Sequence, residues 1–279
     1  MGGVEMLTPE ERNLVYQRAY LPEHLIDYVE SISGAEAYLH YDHLCFTTGN
    51  HLIFIGYPLG TQSNTQRAYE FMCERFQPVT VAVIAPQLWF PSDTCQNWSE
   101  DAYYQLVLPV PHFHPDVAYM VRRAAKELQV VQGKFGREHQ KLVGEFLSGH
   151  ELTQEQGLIF KRMPRYLLRS ETARLLEARL QNGTLVAFTV MDLGAAEYAF
   201  YLFNFRSTKE KVPGASDLLF HKMVCLAQED GKTAINLGLG IHTGVRHFKE
   251  KWGATLFLPY TSCLLQRQPA QIKGLLDKL

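Results

Sequence analysis

The stretch "INLGLGIHTGVRHFKEKWGA", residues 235–254, limits the fold more than any other part of the chain. Ile235–Leu239 is an apolar strand candidate, glycines stand at 238, 240 and 244, and Val245–Trp252 has helical spacing. A strand handing over to a helix across so short a turn puts the turn at the strand's carboxyl end. Open α/β sheets tend to place ligands there. On a helix beginning near His242, positions His242, Arg246 and Lys249 share one stripe, and Val245, Phe248 and Trp252 form the neighbouring core stripe. Lys251 is expected to face solvent. A cation stripe of this kind is ordinarily a solvated face; its position at a strand end makes it a candidate site. The glycines read GxGxxxG, one residue longer than the dinucleotide fingerprint, and no acidic residue follows at the expected distance, which argues against a nicotinamide nucleotide.

Elsewhere the chain reads as alternating strands and helices. Thr8-Pro9-Glu10-Glu11 carries a capping signature, and a second helix with Leu25, Ile26, Val29 and Ile32 follows Pro22. Leu44–Thr47 and Leu52–Tyr57 are strands around Gly49-Asn50, a helix capped by Ser63 or Asn64 follows, and Val79–Ile84 is an apolar strand. Asn182-Gly183 marks a hairpin between 175–180 and 184–193, although "ETARLLEARL" by itself is compatible with a helix. Tyr198–Phe205, a loop, a helix over 217–228 and the strand before Gly238 complete the second half; helices are also expected over 138–147 and 154–161. Both halves run strand, strand, loop, helix, apolar strand, without shared residue identity. The expectation is a mixed α/β (α+β) fold of two units, 1–115 and 116–279, each a central mixed sheet flanked by helices, meeting at "PVPHFHPDVAYM" (109–120).

With 279 residues, 46% of them hydrophobic, the chain can bury a large core, and a net charge of −2 argues against a surface built to grip nucleic acid. No apolar run approaches ~20 residues, so no membrane span is expected. The start lacks a secretory pattern. Cys45, Cys73, Cys95, Cys225 and Cys263 are odd in number and show no CxxC spacing; reduced thiols in a cytoplasmic protein are the expectation. His112 and His114 flank Phe113 without an evident third ligand, so an ordinary turn is favoured over a metal site.

A second candidate lies in "KVPGASD", 211–217. Pro213 and Gly214 shape a tight approach, Ala215 is small, and Ser216 can cap the helix, whose N-terminus could meet a phosphate. Arg206, Lys209 and Lys211 add cations. A β-branched residue in place of Gly214 is expected to block that approach while sparing the fold. Taken alone, the loop reads sooner as a solvated loop with a routine cap than as a phosphate site.

Together these segments resemble the GNAT-type acyltransferase fold. They are similar to the C-terminal domains of phosphatidylglycerol lysyltransferases and to Fem-type peptidyltransferases. "LVAFTVMDLG" (185–194), "QEDGKTAINLGLG" (228–240) and "FKEKWGA" (248–254) carry the likeness, with "HLIFIGYPLG" (51–60) resembling the leading unit. The resemblance implies paired GNAT units with the active cleft in the second. It implies a donor activated as a thioester or as an aminoacyl ester on tRNA, and an amine or hydroxyl acceptor. Pro213–Ser216 then meet the donor's phosphates with Arg206 at the rim, and Lys249 is the FK lysine. The lysyltransferases' membrane region has no counterpart here, which argues against an acceptor lipid buried in a bilayer. The loop also lacks the usual coenzyme A pattern, leaving acyl-coenzyme A, acyl carrier protein and aminoacyl-tRNA as donors.

On this reading Lys249 stabilises charge on the reacting carbonyl, and His242 and Tyr260 are proton-transfer candidates. Two alternatives accompany it. One is a non-catalytic binding protein that retains the fold; the other is an RNA-linked transferase, signalled by a basic lane from Arg162, Arg165 and Arg169.

Overall fold

Local chemistry sets the first elements of the computed structural model, which describes residues 6–61 and 63–267. Helix α1 (Pro9–Arg18) starts at a capping box, in which Thr8 and Glu11 side chains each accept from the other's amide. A 3-10 turn (Pro22–His24) leads to α2 (Ile26–Ser33), which stops at Gly34 with φ +76°. Strands β1 (Glu36–His40), β2 (His43–Thr48) and β3 (His51–Ile55) pair antiparallel. Helix α3 (Thr65–Phe76), capped by Asn64, crosses to β4 (Thr80–Ala85), which lies parallel to β3. The long strand β5 (Asn97–Val107) ends this half.

The second half opens with α4 (Pro115–Ala124), β6 (Leu128–Gln132), α5 (Arg137–Ser148) and α6 (Gln154–Arg169). Next comes the hairpin of β7 (Ala173–Leu180) and β8 (Leu185–Asp192), whose turn has Gly183 at φ +86°. The segment "ARLLEARL" is a strand because β6 and β8 pair with both its edges. From β9 (Tyr198–Arg206), α7 (Ala215–Glu229) crosses to the parallel strand β10 (Ala234–Leu239); α8 (Thr243–Lys251) and β11 (Thr255–Gln266) follow.

Among the described residues the eleven strands form one mixed sheet, ordered β1-β2-β3-β4-β11-β5-β10-β9-β8-β7-β6. β1–β4 and β7–β10 follow one another in the same order, β6 has no counterpart in the first half, and the last strands, β5 and β11, are exchanged. β11 enters between β4 and β5, while β5 lies between β11 and β10. The expected boundary at 115 falls on the first residue of α4, yet it does not divide the sheet. One face is packed by α4, α7 and α8 around Phe220, Met223 and Trp252; α5 and α6 cover Phe188 and Phe203 on the other.

Neither exchanged strand was expected from sequence. β5 opens with exposed polar residues, and β11 contains Pro259, which ordinarily argues against a central strand. The geometry resolves this. Pairing of β11 with β4 begins at Thr261, so Pro259 lies beyond the end of β4. Its carbonyl, on the β4 side, accepts from the Tyr57 hydroxyl at 2.5 Å. Its nitrogen therefore faces no ladder acceptor.

The exchange also overturns the expectation of five reduced thiols. Cys95, just before β5, and Cys263 on β11 form a disulfide across 168 residues of sequence, while Cys45, Cys73 and Cys225 are free. Spacing rules could not reveal a pair that only the strand exchange brings together. Such bonds persist in oxidising surroundings, so the cysteines no longer support a cytoplasmic chain. Among the described residues no helix is long and apolar enough to cross a membrane. The absence of a leader pattern rests partly on residues 1–5, which lie outside the described residues.

Closing so long a loop should stabilise the fold by ~2–5 kcal/mol. Reduction with dithiothreitol, or Cys95→Ser, is expected to lower the melting temperature by roughly 5–15 °C. Two free thiols at these positions by mass mapping of untreated protein would show instead that the strands meet without the bond.

Candidate active site at the splayed end of the β9–β10 pair

β9 and β10 pair for three residues, Tyr198–Phe200 against Ala234–Asn236, and then part. Asn236 marks the divergence. Its side-chain nitrogen donates to the Tyr20 carbonyl at 2.8 Å, and its oxygen accepts from the Gly238 amide at 2.8 Å. Gly238 has φ +71°, and the β10–β5 register shifts between Asn236 and Leu239. A buried asparagine thus ends the parallel ladder and opens a gap at the strands' carboxyl ends.

The turn that follows is held by Asp101 of β5. One carboxylate oxygen accepts from the Ile241 amide at 2.7 Å, the other from the Ala102 amide at 2.8 Å, and Arg246 lies 3.8 Å away. Ile241 has φ +54°, unusual for a β-branched residue, and its side chain is 72% exposed. Backbone strain of this type costs ~1–3 kcal/mol and collects at ligand sites. At Gly240 a Cβ would lie 2.7 Å from Asp101 and 2.8 Å from Arg246, so this glycine lets the carboxylate and guanidinium close over the backbone.

Lys249 is the best-defined group here. It is 2% exposed, donates to the Leu239 carbonyl at 2.5 Å and lies 5.4 Å above the Tyr104 ring. Burial pulls its pKa down to about 7, against the opposing pull of Asp101. An amine at this balance changes charge near neutrality. Tyr260 pairs in register with Asp101 and packs edge-to-face on Tyr103 at 5.6 Å. Burial, with help from Glu23 and Asp101, raises its phenol to about 12, so it is a proton donor rather than a base.

Other expectations need correction. The His242, Arg246 and Lys249 stripe is broken: His242 is exposed and caps α8 by accepting from the Val245 amide, Arg246 turns to Asp101, and Lys249 is buried. Lys251 does not face free solvent, because it pairs with Asp217 at 2.6 Å and covers the Phe248 ring. Ser216 does not cap α7. It accepts from Asn204 at 2.9 Å, and the N-cap position is Gly214, leaving the helix without a side-chain cap. Gly214, at φ +84°, has its missing Cβ 2.5 Å from the Met120 carbonyl of α4, so a β-branched replacement would strike the fold itself.

Arg206, Lys209, Lys211 and Pro213 are exposed around that helix start, and Ala215 is buried. They lie where β9 gives way to α7, whose first turn meets α8 through bonds of Asp217 to Trp252 and Lys251. Of the basic lane, Arg162 donates to the Ile32 and Ser33 carbonyls and Arg169 pairs with Asp27 and Glu30, while Arg165 is exposed. His114 caps α4. Among the described residues no group of three or more His, Cys, Asp or Glu is placed to hold a metal. Cavities of about 460 Å³ between α5 and α6, and 410 Å³ beside α2 and α6, lie elsewhere.

Asp101, Tyr103, Tyr104 and Asn236 were missed by sequence reasoning. A signal existed in "EDAYYQL" (100–106), where acid and aromatic residues alternate with strand periodicity.

By sequence, no family model and no curated protein matches the chain. Its structure is similar to L-PGS from Bacillus licheniformis, at 15% identity and TM-score 0.62, over 98% of this chain and 97% of that one. FemX aligns at 11% identity and TM-score 0.63, over 98% and 99% of the chains. A tandem GNAT protein from the clavulanic acid biosynthesis pathway aligns at 10% identity and TM-score 0.52, over 93% and 94%. The chain has this mixed, GNAT-like fold.

Two measurements test the geometry. Between pH 7 and the ordinary lysine value of 10.5, the unfolded chain holds a proton that buried Lys249 has released. Relative to Lys249→Met, the wild-type protein should therefore gain stability as pH rises through this window. Parallel urea-denaturation profiles would remove the perturbed amine. Gly214→Val should lower the melting temperature; an unchanged melt would free the loop from its contact with α4.

Proposed function

We propose that the chain transfers an activated acyl or aminoacyl group from a thioester or aminoacyl-tRNA donor to an amine or hydroxyl acceptor. One observation carries this: an almost fully buried lysine amine held at the carboxyl end of β10, where the parallel strands part, with a carboxylate fixing the turn beside it. The likeness of fold to L-PGS, FemX and a tandem GNAT protein supports a transferase, as does the matching order of the two halves, which we interpret as GNAT-like units.

In the proposed reaction the acceptor adds to the donor's carbonyl, and negative charge gathers on its oxygen. Lys249, as ammonium, meets that charge in place of its bond to Leu239. His242 at the rim exchanges protons with solvent, whereas Tyr260 packs on Tyr103, across the sheet from Lys249 over Tyr104, and stands apart from that step. The uncapped start of α7, over Pro213, Gly214, Ala215 and Ser216, receives donor phosphates, with Arg206 at the edge. Acyl-coenzyme A, acyl carrier protein and aminoacyl-tRNA all fit this scheme.

Closure of the site favours a second reading, a ligand-binding protein that keeps the fold: Lys249 is covered, and the cavities noted above lie elsewhere. Acetyl-coenzyme A and lysine-charged tRNA, each with a mixture of primary amines, serve as probes. Release of free coenzyme A thiol or deacylated tRNA is expected from one of them. Lys249→Met should slow that release about a hundredfold, the effect of losing ~3 kcal/mol of transition-state stabilisation. Full turnover in a folded Lys249→Met protein would overturn the mechanism; donor binding without turnover in the wild type would establish the second reading.

A further inference from the structure

Helix α6 turns a stripe of arginines toward α2, and the middle one has no partner among the described residues. Arg162, Arg165 and Arg169 follow at spacings of three and four residues, which puts them on one helical face. Arg162 donates to the Ile32 and Ser33 carbonyls at the end of α2. Arg169 pairs with Glu30 and Asp27 of the same helix. Arg165 is exposed, and among the described residues it has neither a hydrogen bond nor an ion pair. Like charges one helical turn apart repel, and the protein itself neutralises only Arg169 of this pair.

The free guanidinium lines the cavity of about 410 Å³ beside α2 and α6, which is within the size range of small-molecule sites. This cavity lies on the seam of the two halves, with α1, α2 and β1 on one side and α6 on the other. Its charged wall is already organised. Glu30, 7% exposed, accepts from Arg12 through both oxygens at 3.0 Å, from the Ala37 amide at 3.1 Å, and from Arg169. Asp27 adds a second carboxylate, 3.4 Å from Arg12 and 3.5 Å from Arg169. These bonds fix both guanidiniums and leave Arg169 Nη1 unclaimed among the described residues. Glu36 also borders the cavity, but its carboxylate accepts from the Tyr38 hydroxyl at 3.1 Å. Tyr38 packs on Phe76 of α3, across the sheet from Ala37. Three guanidiniums therefore face two carboxylates, and the surplus is a single positive charge. Leu7, Ala35 and Ala37 supply apolar wall.

We propose that Arg165 and Arg169 form a binding site for a small monocarboxylic acid with a short apolar body. A carboxylate takes two parallel N–H bonds from a guanidinium fork, and Arg165 offers a complete fork. The single surplus charge matches a monoanion, whereas a phosphate dianion would leave one negative charge uncompensated. Carbon buried against Leu7, Ala35 and Ala37 favours such an acid over an inorganic ion. The site lies on the sheet face covered by α5 and α6, opposite the face that carries α8 and Lys249, and it does not depend on the transferase reading. Its ligand joins the two halves, since Arg165 belongs to one and β1 to the other.

Titration of the full chain with sodium butyrate at constant ionic strength, followed by saturation-transfer NMR, tests this. Butyramide is the neutral isostere, and inorganic phosphate is the competing anion. Butyrate should bind saturably, butyramide should not, and phosphate should bind more weakly than butyrate. Arg165→Gln should weaken butyrate binding about tenfold or more. Arg165→Lys, which keeps the charge and loses the fork, should weaken it about threefold. Arg122→Gln, at an exposed arginine of α4, should leave the affinity unchanged. If Arg165→Gln does not fold, Arg165→Lys decides. The site would be overturned by absence of saturable butyrate binding, by equal binding of butyramide, or by tighter binding of phosphate. Unchanged affinity in the folded Arg165 variants, or an equal loss in Arg122→Gln, would overturn it as well.

Discussion

Everything else in this molecule depends on the exchange of β5 and β11 at the centre of the sheet. Each strand closes the ladder of the other half, so neither half has a complete sheet alone. Strand ends with unpaired backbone groups are liabilities, and here each half covers the other's open edge. The disulfide between Cys95 and Cys263 fixes the same junction covalently. Because β5 is held on both sides, Asp101, Tyr103 and Tyr104 occupy rigid positions at the place where the second half opens. A site supported in this way is set by strand registers rather than by loops.

At that opening, unfavourable local conformations are held by specific bonds. Ile241 adopts a backbone angle that its side chain resists, and the Asp101 carboxylate keeps it there. Lys249 loses hydration and retains one short bond to Leu239, which is why its proton is weakly held. Asn236 is the last paired residue of the parallel ladder, and its side-chain amide is satisfied by the distant Tyr20 carbonyl and the nearby Gly238 amide. Departures from ideal structure of this kind concentrate at functional sites, and here they lie within a few residues of one another along β10 and α8. The glycines at 238 and 240 have different duties. The first permits a left-handed backbone, and the second makes room for Asp101 and Arg246.

Sequence alone determined the elements whose information is local. The capping box at Thr8, the Asn64 cap, the Asn182-Gly183 hairpin, the crossover into β10 and the start of α8 follow from hydrogen bonds and backbone angles spanning a few residues. Lys249 was legible for the same reason, since the strand, turn and helix that position it are contiguous. What only the tertiary structure decided depends on pairs far apart in the chain. The strand exchange, the disulfide, the Asp101 clasp on Ile241 and the pairing of Arg169 with Glu30 each join segments separated by 80 residues or more of sequence. Propensity does not encode such contacts, because a strand's neighbour is chosen by the burial of whole faces. That is how Pro259 comes to sit in a central strand, and why Lys251, Ser216 and Gly214 serve partners that their own neighbours in sequence do not reveal.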